Sequence, residues 1–201
     1  MTDDSRFVPA RPGESEIREK GSKFLGFAVR ARSGAEARDF VASLEKKFHD
    51  ATHVCFAWRI ADRSRAADSG EPSGTAGKPI LGAIRAAGLD ETCVAVARYF
   101  GGTKLGTAGL VRCYREAARL AIEQADREEV FDADVLDLRV PYDKVSSVKG
   151  LIDPPHVALV EEDYSDLARF QLRVRKSRME EVRQALREKT ISPSPGGRGT
   201  G

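Results

Sequence analysis

The chain carries only three cysteines, Cys55, Cys93 and Cys113, and no Cys-x-x-Cys pair. An odd number at wide spacing supports neither a zinc ribbon nor a disulfide scaffold and reads as buried, reduced thiols. Histidine is equally sparse: His49, His53 and His156 form no His-Glu-x-x-His motif. An excess of either charge is missing too. The 33 Lys+Arg and 31 Asp+Glu leave a net +2, so any basic site must come from local clustering. No apolar run approaches the roughly 20 residues of a membrane span. Residues 1–6 are polar and hold no apolar signal region, so a cytoplasmic protein with no membrane partner is expected. What remains is 41% hydrophobic residues, enough to fill a core, in a 201-residue chain long enough for one domain or a medium and a small one.

The most informative positive feature is a repeat. Gly74-Thr75-Ala76-Gly77 and Gly106-Thr107-Ala108-Gly109 are the same tetrapeptide, and each lies where a loop enters a predicted helix. Glycine permits sharp turns and close approach of a ligand to the main chain. A helix start leaves N–H groups unpaired and carries partial positive charge. Two such starts in one domain would make a paired anion site. The alternative is architectural, with the glycines serving only tight turns and close helix packing.

Residues 1–15, with Pro9, Pro12 and Gly13 among charges, read as a flexible arm. A strand follows over 24–30, a helix opened by Ser33 or Gly34, and an alternating strand over 53–60. The hydrophobic pattern then vanishes over 61–78, which reads as a long loop. Pro79 suits the first turn of a helix to about residue 87. A strand over 92–98, a second glycine-rich loop and a long helix over 107–126 complete the first domain. The second reads as a strand to Val140, a helix within 142–151, strands over 157–163 and 167–175, and a helix opened by the capping box Ser177-Arg178-Met179-Glu180. The order β-α-β-β-α is an α+β plait lacking a clear last strand. The prolines and glycines of 191–201 read as disordered tail.

Chemical motifs are few. The loop 101–107 has glycines five apart, but Thr107-Ala108 stands where a P-loop needs Lys then Ser or Thr. No G-x-G-x-x-G follows a strand and no G-x-S-x-G elbow exists, so a catalytic nucleophile is not identified. The proposed phosphate or RNA contacts are Gly74, Thr75, Gly77, Lys78, Arg98, Gly101, Gly102, Lys104, Gly106, Thr107, Arg112 and Arg115. Arg112 and Arg115 begin a helical stripe at the second loop, which is either a phosphate-tracking face or a solvated one paired with Glu116 and Glu123. Tyr99 and Phe100 are candidates for base stacking. His53, Asp68 and Glu71 form a possible acid or metal cluster; its bland reading is a capped turn, a solvated or arginine-paired glutamate and a strand histidine. No resident metal or cofactor is expected.

Two long segments are highly specific. Asp68 through Pro79 and Arg98 through Leu110 resemble the signature motifs of the IMPACT/YigZ family, with His53, Cys55, Trp58 and Lys20, Ser22, Phe24 matching shorter ones. The resemblance implies a first domain (16–130) with the β-α-β fold of a small-subunit ribosomal protein and of elongation factor G domain IV. It implies a second domain (134–190) that is a ferredoxin-like plait like elongation factor G domain V. It also implies a non-catalytic RNA- or ribosome-binding protein linked to translation regulation. The alternatives are a metal-assisted hydrolase and a regulator that binds a protein partner. The chain departs from the family's pattern at Ser69, where a second acid is common, at Ala108, where a glycine is common, and after Thr190, where the last strand is degraded.

Overall fold

The computed structural model describes residues 4–189. They divide into two compact units, Arg6–Val130 and a second unit that begins at Phe131 and includes residues 4 and 5.

The larger unit is built on a sheet. Its strands are β1 (Ser5–Pro9), β2 (Gly13–Glu19) and β3 (Ser22–Arg30), followed by helix α1 (Gly34–Lys47). Then come β4 (His53–Ile60), β5 (Arg63–Ala67), helix α2 (Gly77–Ala86), β6 (Thr92–Tyr99), helix α3 (Gly106–Gln124) and β7 (Arg127–Phe131). The main sheet is antiparallel in the order β2-β3-β6-β4-β5, and β1 pairs with β7 in a separate ribbon.

α2 and α3 cover one face of the main sheet. Ile80, Ala83 and Ile84 of α2 and Tyr114, Ala117, Ala118 and Ala121 of α3 pack with Phe24, Ala28, Val94 and Val96. Each large aliphatic side chain so buried contributes about 1.5–3 kcal/mol. α3 lies unusually close to its strands. A Cβ on Gly13 would sit 2.1 Å from the Ala121 carbonyl oxygen, and one on Gly26 would sit 2.6 Å from that of Ala117. The alanines that line α3 permit that approach. α1 packs on the other face through Ala37, Val41 and Leu44. Ser33 caps it, accepting from the Glu36 amide at 3.1 Å.

Two expectations change here. Residues 5–9 and 13–15 are strand, not arm. Val8 and Gly13 are buried, and Gly13 is one of the contacts with α3. Their prolines and charges leave no strand pattern, since β1 depends on its pairing with β7 and residues 13–15 on theirs with β3. Within 61–78, β5 pairs with β4 through Ile60↔Arg63 to Phe56↔Ala67. Its hydrophobic pattern is absent because it is a sheet edge with four of its five residues exposed.

The second unit runs β8 (Ala133–Val140), a 3-10 turn into helix α4 (Val145–Lys149), β9 (Val157–Tyr164), β10 (Ala168–Arg175) and a 3-10 turn into helix α5 (Met179–Glu188). Its antiparallel sheet has the order β8-β10-β9. Leu138, Phe170, Leu172 and Val174 form its core with Val148, Val182 and Leu186. The expected capping box is absent: Ser177 lies in the 3-10 turn and its amide donates to Asp4 Oδ2 at 2.7 Å. Arg178 occupies the N-cap of α5 without a side-chain bond. The expected tail, 191–201, and the question of a fourth strand lie outside the described residues.

Candidate functional site

The chemistry-bearing loops share one end of the main sheet. β3 and β4 start there and β5 and β6 finish there, because Lys23 aligns with Tyr99, His53 with Arg98 and Phe56 with Ala67. α2 and α3 both begin from loops that leave this end. The two tetrapeptides therefore do lie at the same end of the unit, but in different chemical states.

The first copy is already occupied by the chain itself. Asp68 Oδ2 accepts from the Gly74 amide at 2.7 Å, and Oδ1 accepts from the Ala76 and Gly77 amides at 3.0 and 2.8 Å. Asp68 is thus the cap of α2, supplied from outside the helix's own N-cap position. Burial by itself would push its carboxyl up, yet the three amides and Lys78 outweigh burial and hold it below the usual carboxylate range. Thr75 is buried and donates to the Pro72 carbonyl at 2.6 Å. Gly77 is pressed on β5, where a Cβ would lie 2.6 Å from the Ala67 nitrogen. The expected anion contacts at Gly74, Thr75 and Gly77 are therefore corrected: Asp68 holds the Gly74 and Gly77 amides and the Pro72 carbonyl holds that of Thr75.

Beneath this loop is a buried polar cluster. Glu71 Oε1 accepts from Arg98 Nη1 at 2.6 Å and from the Tyr114 hydroxyl at 2.8 Å. Glu71 and Arg98 are both buried. The Arg98 guanidinium lies 5.5 Å from the Phe24 ring and 5.6 Å from the Phe100 ring. Cys55 donates to the Asp68 carbonyl at 2.9 Å, and burial pushes its thiol up to about 12. His53 Nδ1 lies 3.0 Å from the Ser69 carbonyl oxygen, which it reaches as a donor.

Each of these candidates has a partner within the chain. Asp68 is spent on amides, Glu71 on Arg98 and Tyr114, and His53 on a carbonyl. Among the described residues no three His, Cys, Asp or Glu side chains group as metal ligands would. The acid cluster is a clasp that fixes the loop 68–77 to the sheet. Arg98 is the buried counter-ion of Glu71 and so is not a surface contact. Tyr114 carries no signal in the sequence beyond its place on the helix 107–126, because its hydroxyl is invisible to a hydrophobic pattern.

The second copy is open. α3 begins at Gly106 itself, so this tetrapeptide forms the helix's first turn, and its N-cap Leu105 supplies no side-chain bond. Phe100, Gly101, Gly102, Thr103, Lys104, Gly106 and Thr107 are exposed. Gly102 and Gly106 have φ of 87° and 69°, which favours glycine at both. Gly101 meets Gly21 so closely that a Cβ on it would lie 1.9 Å from the Gly21 carbonyl carbon. Its amide donates to Ser22 Oγ at 3.1 Å. Lys20 and Gly21 form a two-residue hairpin turn with φ of 47° and 81°, which brings Lys20 beside the loop. Lys20, Lys78, Lys104 and Arg115 are exposed, and none forms an ion pair with a described residue. Arg112 remains exposed but pairs with Glu19 at 2.8 Å. Arg119 binds Glu116 and Glu123. Thr107, Ala108, Arg112 and Arg115 line a groove of about 820 Å³ with Ile17 and Glu19. No helix among the described residues is long and apolar enough to cross a membrane.

Residues 20–122 match the Impact N-terminal domain. The chain is 42% identical over 153 residues to the IMPACT family member in pol 5'region of Thermus thermophilus, covering 76% of this chain and 84% of that relative. It is 31% identical over 166 residues to the IMPACT family member YigZ of Escherichia coli, covering 80% of this chain and 81% of the relative. A crystal structure of a hypothetical protein aligns with a TM-score of 0.67 at 25% identity, over 98% of this chain and 99% of that one.

Proposed function

The chain belongs to the IMPACT family, and from that premise we propose that it is a non-catalytic RNA-binding regulator of translation that acts on the ribosome. The observation that carries this reading is the exposed loop 101–107, which runs into an uncapped helix start beside Lys20, Lys104 and Arg115, cations unpaired among the described residues. Backbone N–H groups and the positive end of α3 would hold phosphate oxygens, and the lysines would add field without demanding a sequence. Phe100 is 46% exposed at the foot of the same loop and offers a face to an unpaired base. Lys78 contributes field from α2, although the amides of that helix are taken.

In fold terms, we read the first unit as the elongation factor G domain IV type and the second as a ferredoxin-like plait. The β8-α4-β9-β10-α5 order and the β8-β10-β9 sheet support the second assignment.

The hydrolase alternative loses its support, because the donors it needs are engaged elsewhere. A second reading, a regulator that binds a protein, is favoured by the groove of about 740 Å³ between α2 and α3, floored by Ala83, Ala87, Leu89 and Ile122. The test between them is binding to purified ribosomal RNA across a salt series. The RNA reading expects affinity to fall steeply with salt, and to drop when Lys20 and Lys104 are both changed to Glu. Absence of a salt-sensitive complex at low ionic strength would discard it.

A further inference from the structure

The opposite face of the same sheet carries a separate cluster. Cross-strand register places Trp58 opposite Arg65, Ile60 opposite Arg63 and Phe56 opposite Ala67. Paired residues point to the same face. Val54, Phe56 and Trp58 belong to the core on the α1 side, so Arg63 and Arg65 stand on that side too. α1 packs over β4 and β6, which leaves the β4–β5 flank as an open margin ending in an edge strand. Arg38 reaches it from α1: a Cβ on Gly34 would meet the Trp58 ring at 3.6 Å and Arg38 Nη1 at 4.0 Å.

Three properties of this flank need a reason. Arg38, Arg63 and Arg65 are all exposed, and none has an ion-pair partner among the described residues. The Arg65 guanidinium lies 5.9 Å from the Phe56 ring. The indole Nε1 of Trp58 is buried with no acceptor among the described residues. An unpaired buried donor is destabilising, and a phenylalanine would avoid it. The tryptophan is therefore not explained by stability. Two half-buried aromatic rings beside three free guanidinium groups have the chemistry of a surface for unpaired bases and their phosphates.

We propose that the β4–β5 flank on the α1 side is a second contact, for single-stranded RNA, in which Trp58 and Phe56 take stacked bases and Arg38, Arg63 and Arg65 take phosphates. This rests on the reading of the protein as an RNA binder but uses none of the residues of the loop 101–107. An extended strand suits an open sheet margin, whereas a duplex buries the base faces that stacking requires. An acidic peptide shares the charge but has no flat ring for the indole.

Trp58 is the single tryptophan of the chain, so its fluorescence reports this flank alone. The experiment titrates the full chain with an unstructured oligouridylate and follows tryptophan emission at several salt concentrations. Saturable, salt-sensitive quenching is expected. Arg63→Ala together with Arg65→Ala should weaken binding and reduce the slope of log affinity against log salt by about 0.7 for each phosphate that no longer meets an arginine. Circular dichroism of the double variant should match the parent, since both arginines are exposed. Three results would overturn the proposal: no quenching at low salt, a titration indifferent to the arginine changes, or equal quenching by polyglutamate. If ribosomal RNA binding by gel shift persists while Trp58 is silent, the flank is wrong and the loop reading stands. Quenching that survives in a variant series where Lys20 and Lys104 prove irrelevant gives the reverse result.

Discussion

The two Gly-Thr-Ala-Gly segments are identical in sequence and opposite in fate. In the first, the helix starts at the last residue, Gly77, and the preceding amides are sealed by Asp68. In the second, the helix starts at the first residue, Gly106, and no side chain caps it. The first is pinned from below by Glu71, Arg98 and Tyr114, whereas the second is exposed at Gly106, Thr107 and Ala108. A helix start can hold an external anion only while its amides lack an internal acceptor, so the first copy is closed to one and the second is not capped by a side chain.

The largest test of this contrast is Glu71→Ala. It would strand the Arg98 guanidinium in the core, and denaturant unfolding should show a loss of about 3–5 kcal/mol. Lys104→Ala at the open copy should stay within about 0.5 kcal/mol of the parent. Similar losses from both would erase the distinction.

Asp68→Ala removes the cap of the sealed copy and leaves three amides without their acceptor. A loss of about 2 kcal/mol is expected in the same measurement. The contribution also has a pH sign. The folded-state pKa of Asp68 lies below its unfolded value of about 4, so the stabilisation is present in full above that value and is lost as pH falls through the depressed pKa. Acid titration of stability should therefore be less steep for Asp68→Ala than for the parent, and parallel curves would contradict the capping role.

At the open copy the readout is affinity. Lys104→Glu should lower the salt slope of ribosomal RNA binding by at least about one, with no change in thermal midpoint. A matching change at the sealed copy, Gly74→Ala, is expected to disturb stability, because φ there is 78°. The smallest effect concerns the thiols. Burial pushes both Cys55 and Cys93 up to about 12, so neither should react with a thiol reagent at neutral pH until the chain unfolds. Rapid labelling of the native protein would show that the clasp around Cys55 opens readily.

Much of the architecture was legible because it is local. Alternation in 53–60, the Ala-rich face of 107–126 and the period-two pattern of 168–175 are periodic signals that survive without neighbours. The edge strand β5 and the ribbon strand β1 were not legible, since exposure leaves an edge no hydrophobic pattern and a ribbon depends on a partner more than 100 residues away. At the candidate site, the sequence marked the segments 68–79 and 98–110 but could not sort their side chains. Asp68, Glu71, Arg98 and Lys104 all look like candidate contacts on paper, and three of the four are consumed internally.

Sequence alone determined the family, the strongly periodic elements and the positions where glycine must free the chain, because these rest on residue identity and short-range period. Only the tertiary structure decided which helix start is sealed, which arginine is a buried counter-ion and which cations stand free. Those outcomes depend on acceptors brought together across the sheet, and no spacing within the chain records them.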